Sequence, residues 1–434
     1  MAVNVETLGT LERRLSMSVP AESVEKQVDE RLKKLARNVK LPGFRPGKVP
    51  MKIVAQQYGP QVRYEVLGES VQKAFADAVK EANLKVAGNP KIEPKDAGDQ
   101  TTIAFSATFE IYPEFKVGSV AEKTIERPSA EVDDAAVDRT IDILRKQRTT
   151  FEKVDRAAGD ADRLTIDFEG KIDGESFPGG SAKGFAFVLG EGRMLAEFEQ
   201  AARSMKAGET KEFDLTFPAD YHGREVAGKA ARFSISVAEV SEPRLPALDE
   251  AFAKTLGVAD GDIAKMRTEV KANVEREMAK RVESKVKAQA MQALLDATPL
   301  ELPKSLVDME TQALVQRATE DLKGRGMDIE KLPIDPQAFE TGAKRRVALG
   351  LILAELSRTE NLQPKPQQVR AMIETESQSY ENPAEVVKWV YMQPQRLSEM
   401  EGLALENNVV SWVLSKAKVV DKAIPFDELM GSGS

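Results

Sequence analysis

The sequence predicts a multi-domain α+β protein. A basic α+β domain covers residues 1–112 and a helical connector 113–149. An antiparallel sheet around one short helix covers 150–245, and an all-helical region with arms covers 246–430. Three observations carry this reading. The chain has 434 residues, and at roughly 150 residues per domain that length suits about three domains. The apolar period changes along the chain, from mixed to two and then to three or four. Nine of the 17 Phe and eleven of the 28 Gly fall within 151–240, about a fifth of the chain. The last four residues, 431–434, read as a tail or a cloning scar.

The N-terminal segment reads as strand, helix, loop, helix, strand. Leu11, Arg13, Leu15, Met17 and Val19 mark the first strand by alternation. Pro20 opens a helix whose stripe is Val24, Val28, Leu32, Leu35 and Val39. The stretch 41–50 holds three prolines and two glycines and breaks it. A second helix runs from about Pro50 to Glu81, and Ile103 to Ile111 alternates as a strand that Pro113 ends. The connector carries a helix marked by Val132, Ala136, Ile141 and Leu144.

The middle segment has period two: Leu164, Ile166, Phe168; Phe213, Leu215, Phe217; Ala231, Phe233, Ile235, Val237. One helix, Met194 to Met205, fits between them. From about Pro246 the pattern is helical. Met266, Val270, Val274, Met278, Val282 and Val286 recur every four residues. Four residues advance about 400°, so this stripe winds by about 40° per step. Such a helix meets several elements in turn or projects as an arm.

Composition excludes several classes of chemistry. There is no cysteine, so disulfides, thiolate nucleophiles and cysteine metal sites are absent. His222 is the single histidine, so two-histidine sites are impossible within one chain and any Ser-His-Asp triad must use it. No metal and no cofactor is expected. The longest apolar run, Val347 to Ala354, has eight residues against the roughly 20 of a spanning helix. No secretory signal is read at the N-terminus, so a cytoplasmic protein with no membrane partner is expected. Net charge is −8, which argues against a general nucleic-acid coat and a DNA partner. One window departs from that average: Arg31, Lys33, Lys34, Arg37, Lys40, Arg45, Lys48 and Lys52 are eight bases with no acid between them. It is either a localised electrostatic footprint or a solvated helix face with its loop.

The loop Gly43-Phe44-Arg45-Pro46-Gly47-Lys48-Val49-Pro50 sits in that window. An aromatic beside Arg has the composition of a binding anchor, and on physics alone Phe44 equally well folds back into its own domain. With Leu41 and Pro42, the stretch resembles the ribosome-binding signature of the trigger factor family of bacterial chaperones. The domain order agrees with that family over nearly the whole chain. Pro46 departs, standing where a basic residue is frequent. The resemblance implies that Gly43, Phe44, Arg45, Pro46, Gly47 and Lys48 dock on the large ribosomal subunit. Phe44 and Arg45 would meet a tunnel-exit protein and adjacent ribosomal RNA, and Lys48 would add salt-sensitive phosphate attraction.

The middle segment resembles an FKBP-type peptidyl-prolyl isomerase. The residues that carry this are Asp167-Phe168-Glu169-Gly170, Asp173-Gly174, Phe177, Gly192-Arg193-Met194-Leu195, Phe198, Gly208-Glu209, Tyr221-His222-Gly223 and Phe233. The resemblance places Phe168, Phe177, Phe185, Met194, Leu195, Phe198, Tyr221 and Phe233 around a prolyl pocket. Phe198 is its floor, Tyr221 a handle for a substrate carbonyl, and His222 an orienting or rim contact. Pro178 departs, where many FKBPs carry Asp. The chemistry needs no nucleophile and no net proton transfer. Rotation about X–Pro crosses a barrier near 20 kcal/mol, and an apolar pocket that strips water from the planar amide dipole favours the twisted state. On composition alone most of these rings would be plain sandwich core, and Phe213 and Phe217 are read as core.

The helical C-terminus shows no catalytic constellation. Nine of the 14 Met lie beyond residue 245, which suits either a surface for partners of variable shape or ordinary helix core. By resemblance it is the chaperone body for nascent and unfolded polypeptides, and the family implies a homodimer off the ribosome. Three readings compete. One is a ribosome-associated chaperone and isomerase, partly ribosome-bound in the cytoplasm. The second is a free isomerase with flanking interaction domains, and the third a binding protein whose β domain has lost catalysis. Phe44-Arg45 favours the first over the second, and the retained Phe198, Tyr221 and Phe233 argue against the third.

Overall fold

The computed structural model describes residues 4–39, 41–42, 44, 49–95, 101–221, 223, 225–327, 334–378 and 380–431. The chain forms two compact units, each assembled from separated stretches. One comprises Met1–Arg127 with Ser284–Asp421, the other Pro128–Glu283 with Lys422–Ser434.

The first unit begins with β1 (Asn4–Thr7), β2 (Glu12–Pro20), the helices α1 (Ala21–Asn38) and α2 (Met51–Glu81), β3 (Val86–Lys95) and β4 (Thr102–Ile111). The strands form an antiparallel sheet ordered β1-β2-β4-β3. β2 and β4 pair with Leu15 opposite Ala107 and Met17 opposite Phe105, which puts both apolar sets on one face. Phe75 of α2 closes over that face, its ring 5.3 Å from Phe109 and edge-on. Val24, Val28 and Leu32 of α1 bury against Val54, Val62 and Val66 of α2, as the stripes predict.

β1 and β3 were not legible as strands. β1 has four residues. β3 is an edge strand, mostly exposed, and carries Gly88, Pro90 and Pro94. Proline is tolerated there because an edge leaves some N–H groups unpaired. Its irregularity falls between Ala87 and Lys91, and Gly88 has φ +73°. A Cβ on Gly88 would stand 2.6 Å from Ser305, so glycine serves both the backbone conformation and the close approach of α7 (Lys304–Gly324).

That approach is fixed by hydrogen bonds. The backbone N–H groups of Lys304 and Ser305 donate to the Glu110 carboxylate at 2.9 and 2.6 Å, and the Ser305 hydroxyl donates to the Ala87 carbonyl at 3.0 Å. Two orphan donors of the first helical turn are thereby satisfied by an acid on the sheet. The rest of this unit is α8 (Gln337–Thr359), α9 (Pro366–Ser377), α10 (Pro383–Met392) and α11 (Pro394–Lys416). Ile352, Leu356, Val409 and Val413 are buried among them.

In the second unit β6 (Thr150–Lys153), β7 (Arg163–Ile172), β8 (Glu175–Val188), β9 (Thr210–Thr216) and β10 (Ala230–Arg244) form an antiparallel sheet. β10 pairs with β7, and also with β9 through its first half and β6 through its last residues. The short helix is α4 (Ala196–Ala202), trimmed from the expected Met194–Met205 because Leu195 and Arg203 adopt extended backbone. A separate core joins α3 (Asp134–Gln147), α5 (Glu250–Thr255), the start of α6 (Ile263–Ala297) and Phe426 of α12 (Phe426–Met430). The winding stripe of α6 behaves as expected. Met266, Val270, Val274 and Met278 pack in this core, while the helix from Ser284 onward belongs to the first unit.

Among the described residues of the C-terminal region, one strand joins the helices. β11 (Lys418–Ala423) pairs with β5 (Thr124–Ser129) of the connector, and Arg127 grips Asp421 through two hydrogen bonds, one of 3.0 Å and one of 2.5 Å. Among the described residues no helix is long and apolar enough to cross a membrane.

Burial pushes the Glu110 carboxyl up, but the Ser305 hydroxyl and the two backbone donors outweigh it and hold the group below its ordinary value. A depressed acid contributes stability above its unfolded pKa, and that contribution disappears as pH falls through its folded pKa. Thermal unfolding of wild type and Glu110→Gln should therefore differ most near pH 7, wild type being the more stable, and the difference should shrink towards pH 3.

Candidate functional site

β7 and β10 bring the inner-face residues of the β domain together. Phe233 of β10 faces Gly170 of β7 and Phe213 of β9. A Cβ on Gly170 would lie 2.5 Å from the Phe233 ring, so the ring occupies the space any side chain there would need. β8 contains two irregularities. One lies between the pairs Ile166–Phe185 and Phe168–Ala182, the other between Glu169–Ser181 and Lys171–Ser176. The second loops out Phe177 to Gly180. Phe177 then meets Phe217 edge-on at 5.9 Å and Phe233 at 6.2 Å. Gly180 lies beneath it, where a Cβ would stand 2.8 Å from the Phe177 ring.

Phe198 of α4 is only 2 % exposed. Four rings surround it edge-on: Phe168 at 5.5 Å, Phe187 at 6.1 Å, Phe213 at 5.5 Å and Phe233 at 5.7 Å. Each such pair contributes about 0.5–1.5 kcal/mol beyond its buried area. Phe185 is 38 % exposed, edge-on to Phe168 at 5.8 Å and stacked on Phe187 at 6.2 Å. Met194 and Leu195, in the segment before α4, and Tyr221 pack partly buried against the same cluster. Tyr221 lies 4.9 Å from Phe217. The fold thus brings together Phe168, Phe177, Phe185, Met194, Leu195, Phe198, Tyr221 and Phe233. His222 lies outside the described residues.

Phe213 and Phe217, read from sequence as plain core, join the same network. Phe217 is buried, whereas Phe213 is half-buried and stacks on Phe233 at 5.9 Å. Their link to the other rings depends on which strand β10 pairs with, and alternation within one strand does not carry that information.

Charge supports the cluster from outside. Buried Asp162 accepts two hydrogen bonds from Arg156, at 2.6 and 2.9 Å, and one from the Gly159 N–H at 2.8 Å. Hydrogen bonds to Asp162 and then Glu242 push the Arg156 guanidinium up. Beside Phe198, buried Glu199 accepts from the Gly190 N–H at 3.0 Å, which ties the segment before α4 to the helix. Among the described residues no group of three or more His, Asp or Glu is placed to hold a metal ion.

The N-terminal loop presents a different surface. Phe44 is 38 % exposed, and its N–H donates to the Leu41 carbonyl at 3.1 Å. Leu41 and Val49 flank it and pack into the α1–α2 core. Gly43, Arg45, Pro46, Gly47 and Lys48 lie outside the described residues. Below the loop, Arg31, Lys34, Asn38, Tyr58 and Gln61 line a shallow groove of about 440 Å³ between α1 and α2. Several large apolar residues of the C-terminal region are exposed. Met309, Met327, Tyr380, Trp389, Tyr391 and Met392 are exposed, Met392 by 82 %. Met266 and Met291 are buried, so the methionines divide between surface and core.

Comparison with known proteins now bears on these surfaces. Residues 1–144 match the family model of bacterial trigger factor protein and residues 262–415 that of its C-terminus. Residues 154–238 match FKBP-type peptidyl-prolyl cis-trans isomerase. Trigger factor of Aromatoleum aromaticum is 54 % identical over 434 residues, all of both chains. The chain belongs to the trigger factor family. Trigger factor of Dechloromonas aromatica is 55 % identical over 421 residues, 97 % of each chain. A solved trigger factor structure concerned with promiscuous substrate recognition matches more loosely. It shares 18 % identity at TM-score 0.46, over 95 % of this chain and 99 % of that one. The chain is a ribosome-associated chaperone with a peptidyl-prolyl isomerase domain, as trigger factors are, and the family binds ribosomes and nascent chains.

The packing of Phe233 over Gly170 yields a direct test. Gly170→Ala should drive the ring off its present contacts and destabilise the β domain by about 1–3 kcal/mol through overpacking, read as a lower urea midpoint at unchanged slope.

Proposed function

We infer that three surfaces divide the work of this chain. The rings around Phe198 form the prolyl pocket. The loop at Phe44 with its flanking bases docks on the ribosome. The helical region 246–430, with the connector 113–149, receives unfolded polypeptide. The observation that carries the isomerase assignment is Phe198 at 2 % exposure, enclosed by four rings, with half-buried Phe168 and Phe177, Met194, Leu195 and Tyr221 packed around them. Such a site can take a prolyl ring and exclude water from the adjoining amide. Removing water weakens the solvation that favours the planar, strongly dipolar amide, and the twisted state becomes easier to reach. Phe198 acts as floor and Tyr221 as handle for a substrate carbonyl, with His222 at the rim.

Exposure of Phe44 beside the basic face of α1 supports docking through Gly43, Phe44, Arg45, Pro46, Gly47 and Lys48. Phe44 would insert against a tunnel-exit protein, while Arg45, Lys48, Arg31 and Lys34 would meet ribosomal RNA phosphates. The exposed Trp389, Tyr391 and Met392 support a client surface, since flexible thioethers and aromatic faces adapt to segments of different shape. Off the ribosome the chain pairs with a second copy, and it works in the cytoplasm, partly ribosome-bound.

Two measurements separate the surfaces. In sedimentation with bacterial ribosomes, wild-type binding should fall as salt rises. Phe44→Ala with Arg45→Ala should weaken it by about tenfold or more while leaving isomerisation of a prolyl peptide unchanged. Equal loss of both activities would sink this division. Phe198→Ala should abolish most isomerase activity yet leave suppression of aggregation by the helical region intact.

A further inference from the structure

The β7–β8 pairing contains a feature that the pocket assignment does not use. Leu164 faces Phe187 and Ile166 faces Phe185, whereas Phe168 faces Ala182. Between these pairs a single residue of β7, Asp167, stands opposite two of β8, Lys183 and Gly184. This extra residue is a β-bulge. Gly184 has φ +63°, a conformation that glycine adopts without the usual steric cost. Its N–H donates to Asp167 Oδ1 at 2.7 Å, a short bond to a charged acceptor.

The bulge decides where Phe185 points. If the register set by Phe168–Ala182 ran on unbroken, Gly184 would face Ile166 and Phe185 would face Thr165. Side chains alternate across a strand, so that one-residue slip would turn Phe185 to the outer face of the sheet. With the bulge in place, Phe185 shares the inner face with Ile166, edge-on to Phe168 and stacked on Phe187. Asp167 stands between Ile166 and Phe168 in β7 and therefore on the opposite face of that strand.

We propose that Asp167 is a positioning residue for the prolyl pocket: its carboxylate holds the Lys183–Gly184 bulge of β8 and so keeps Phe185 at the pocket rim. This rests on the assignment of the pocket to the rings around Phe198. Phe185 is the rim ring most open to solvent among those that touch Phe168, so it is the one a bound peptide meets first. Loosening the bulge releases that ring without removing any atom from the pocket.

The test uses the full-length chain and a proline tetrapeptide. Asp167→Ala should lower kcat/KM about fivefold, since small displacements of positioned groups cost catalysis steeply. Asp167→Asn, which keeps the oxygen acceptor, should stay within about twofold of wild type. Gly184→Ala strains the same bulge from the opposite strand and should mimic Asp167→Ala. In the Phe185→Ala background, Asp167→Ala should have no further effect. A fluorine label on the ring at position 185 should give one NMR line in wild type and a shifted or split line in Asp167→Ala. An unchanged line and rate in Asp167→Ala, while Phe198→Ala abolishes activity, overturns the positioning role alone. The same fivefold loss with and without the Phe185 ring overturns it too, because the effect then runs elsewhere. Full activity in Phe198→Ala overturns the pocket assignment on which the proposal rests.

Discussion

The isomerase domain depends on how Phe233 is held. Its ring touches Phe168, Phe177, Phe198, Phe213 and Phe217, so it joins three other strands, α4 and the segment after β9. It can do so because Gly170 opposite it has no side chain. An aromatic cluster built this way has little freedom to collapse. Phe198 is buried like a core residue, as are Phe187 and Phe233 beside it, while Phe168 and Phe213 keep part of their surface in water. That combination suits a reaction that makes no bond and needs a rigid, water-poor place in which an amide can twist.

β8 carries two irregularities in its pairing with β7. Phe177, Phe185 and Phe187 share one parity along β8, and the two register shifts decide which β7 residue each ring stands beside. One irregularity loops out Phe177 and the other resets the phase before Phe185. Glycines stand at both, Gly180 where the Phe177 ring passes close and Gly184 where φ is positive. The glycine richness of the middle segment therefore reflects close ring approaches as much as turns.

Electrostatics works differently in the N-terminal part of the chain. The net charge is −8, yet eight bases with no acid between them are gathered from Arg31 to Lys52 in the sequence. Arg31 and Arg63 are partly neutralised by Glu69 and Glu25, at exposed positions where such pairs contribute little to stability. The same sheet is joined to α7 through Glu110, Ser305 and Gly88. The N-terminal sheet and the C-terminal helices consequently fold as one unit despite nearly 200 residues between Glu110 and Ser305.

The sequence by itself determined the broad layout: α1, α2, β2, β4, β7, β9, β10 and the long α6 all announce themselves by apolar period, because each buries one continuous face. It also exposed Phe44 among bases and the aromatic density of the middle segment. β1, β3, β5, β8 and β11 were not legible. β3 and β8 carry proline and glycine where alternation is read, β5 is short with two buried residues, and β11 is short and exposed throughout, so partners rather than patterns make them strands. Only the tertiary structure decided that Phe213 and Phe217 join the aromatic network, that Asp167 accepts a hydrogen bond from the Gly184 bulge, and that α6 serves two units. Each depends on strand register or on the approach of distant segments, and those are set by packing between residues far apart in the chain.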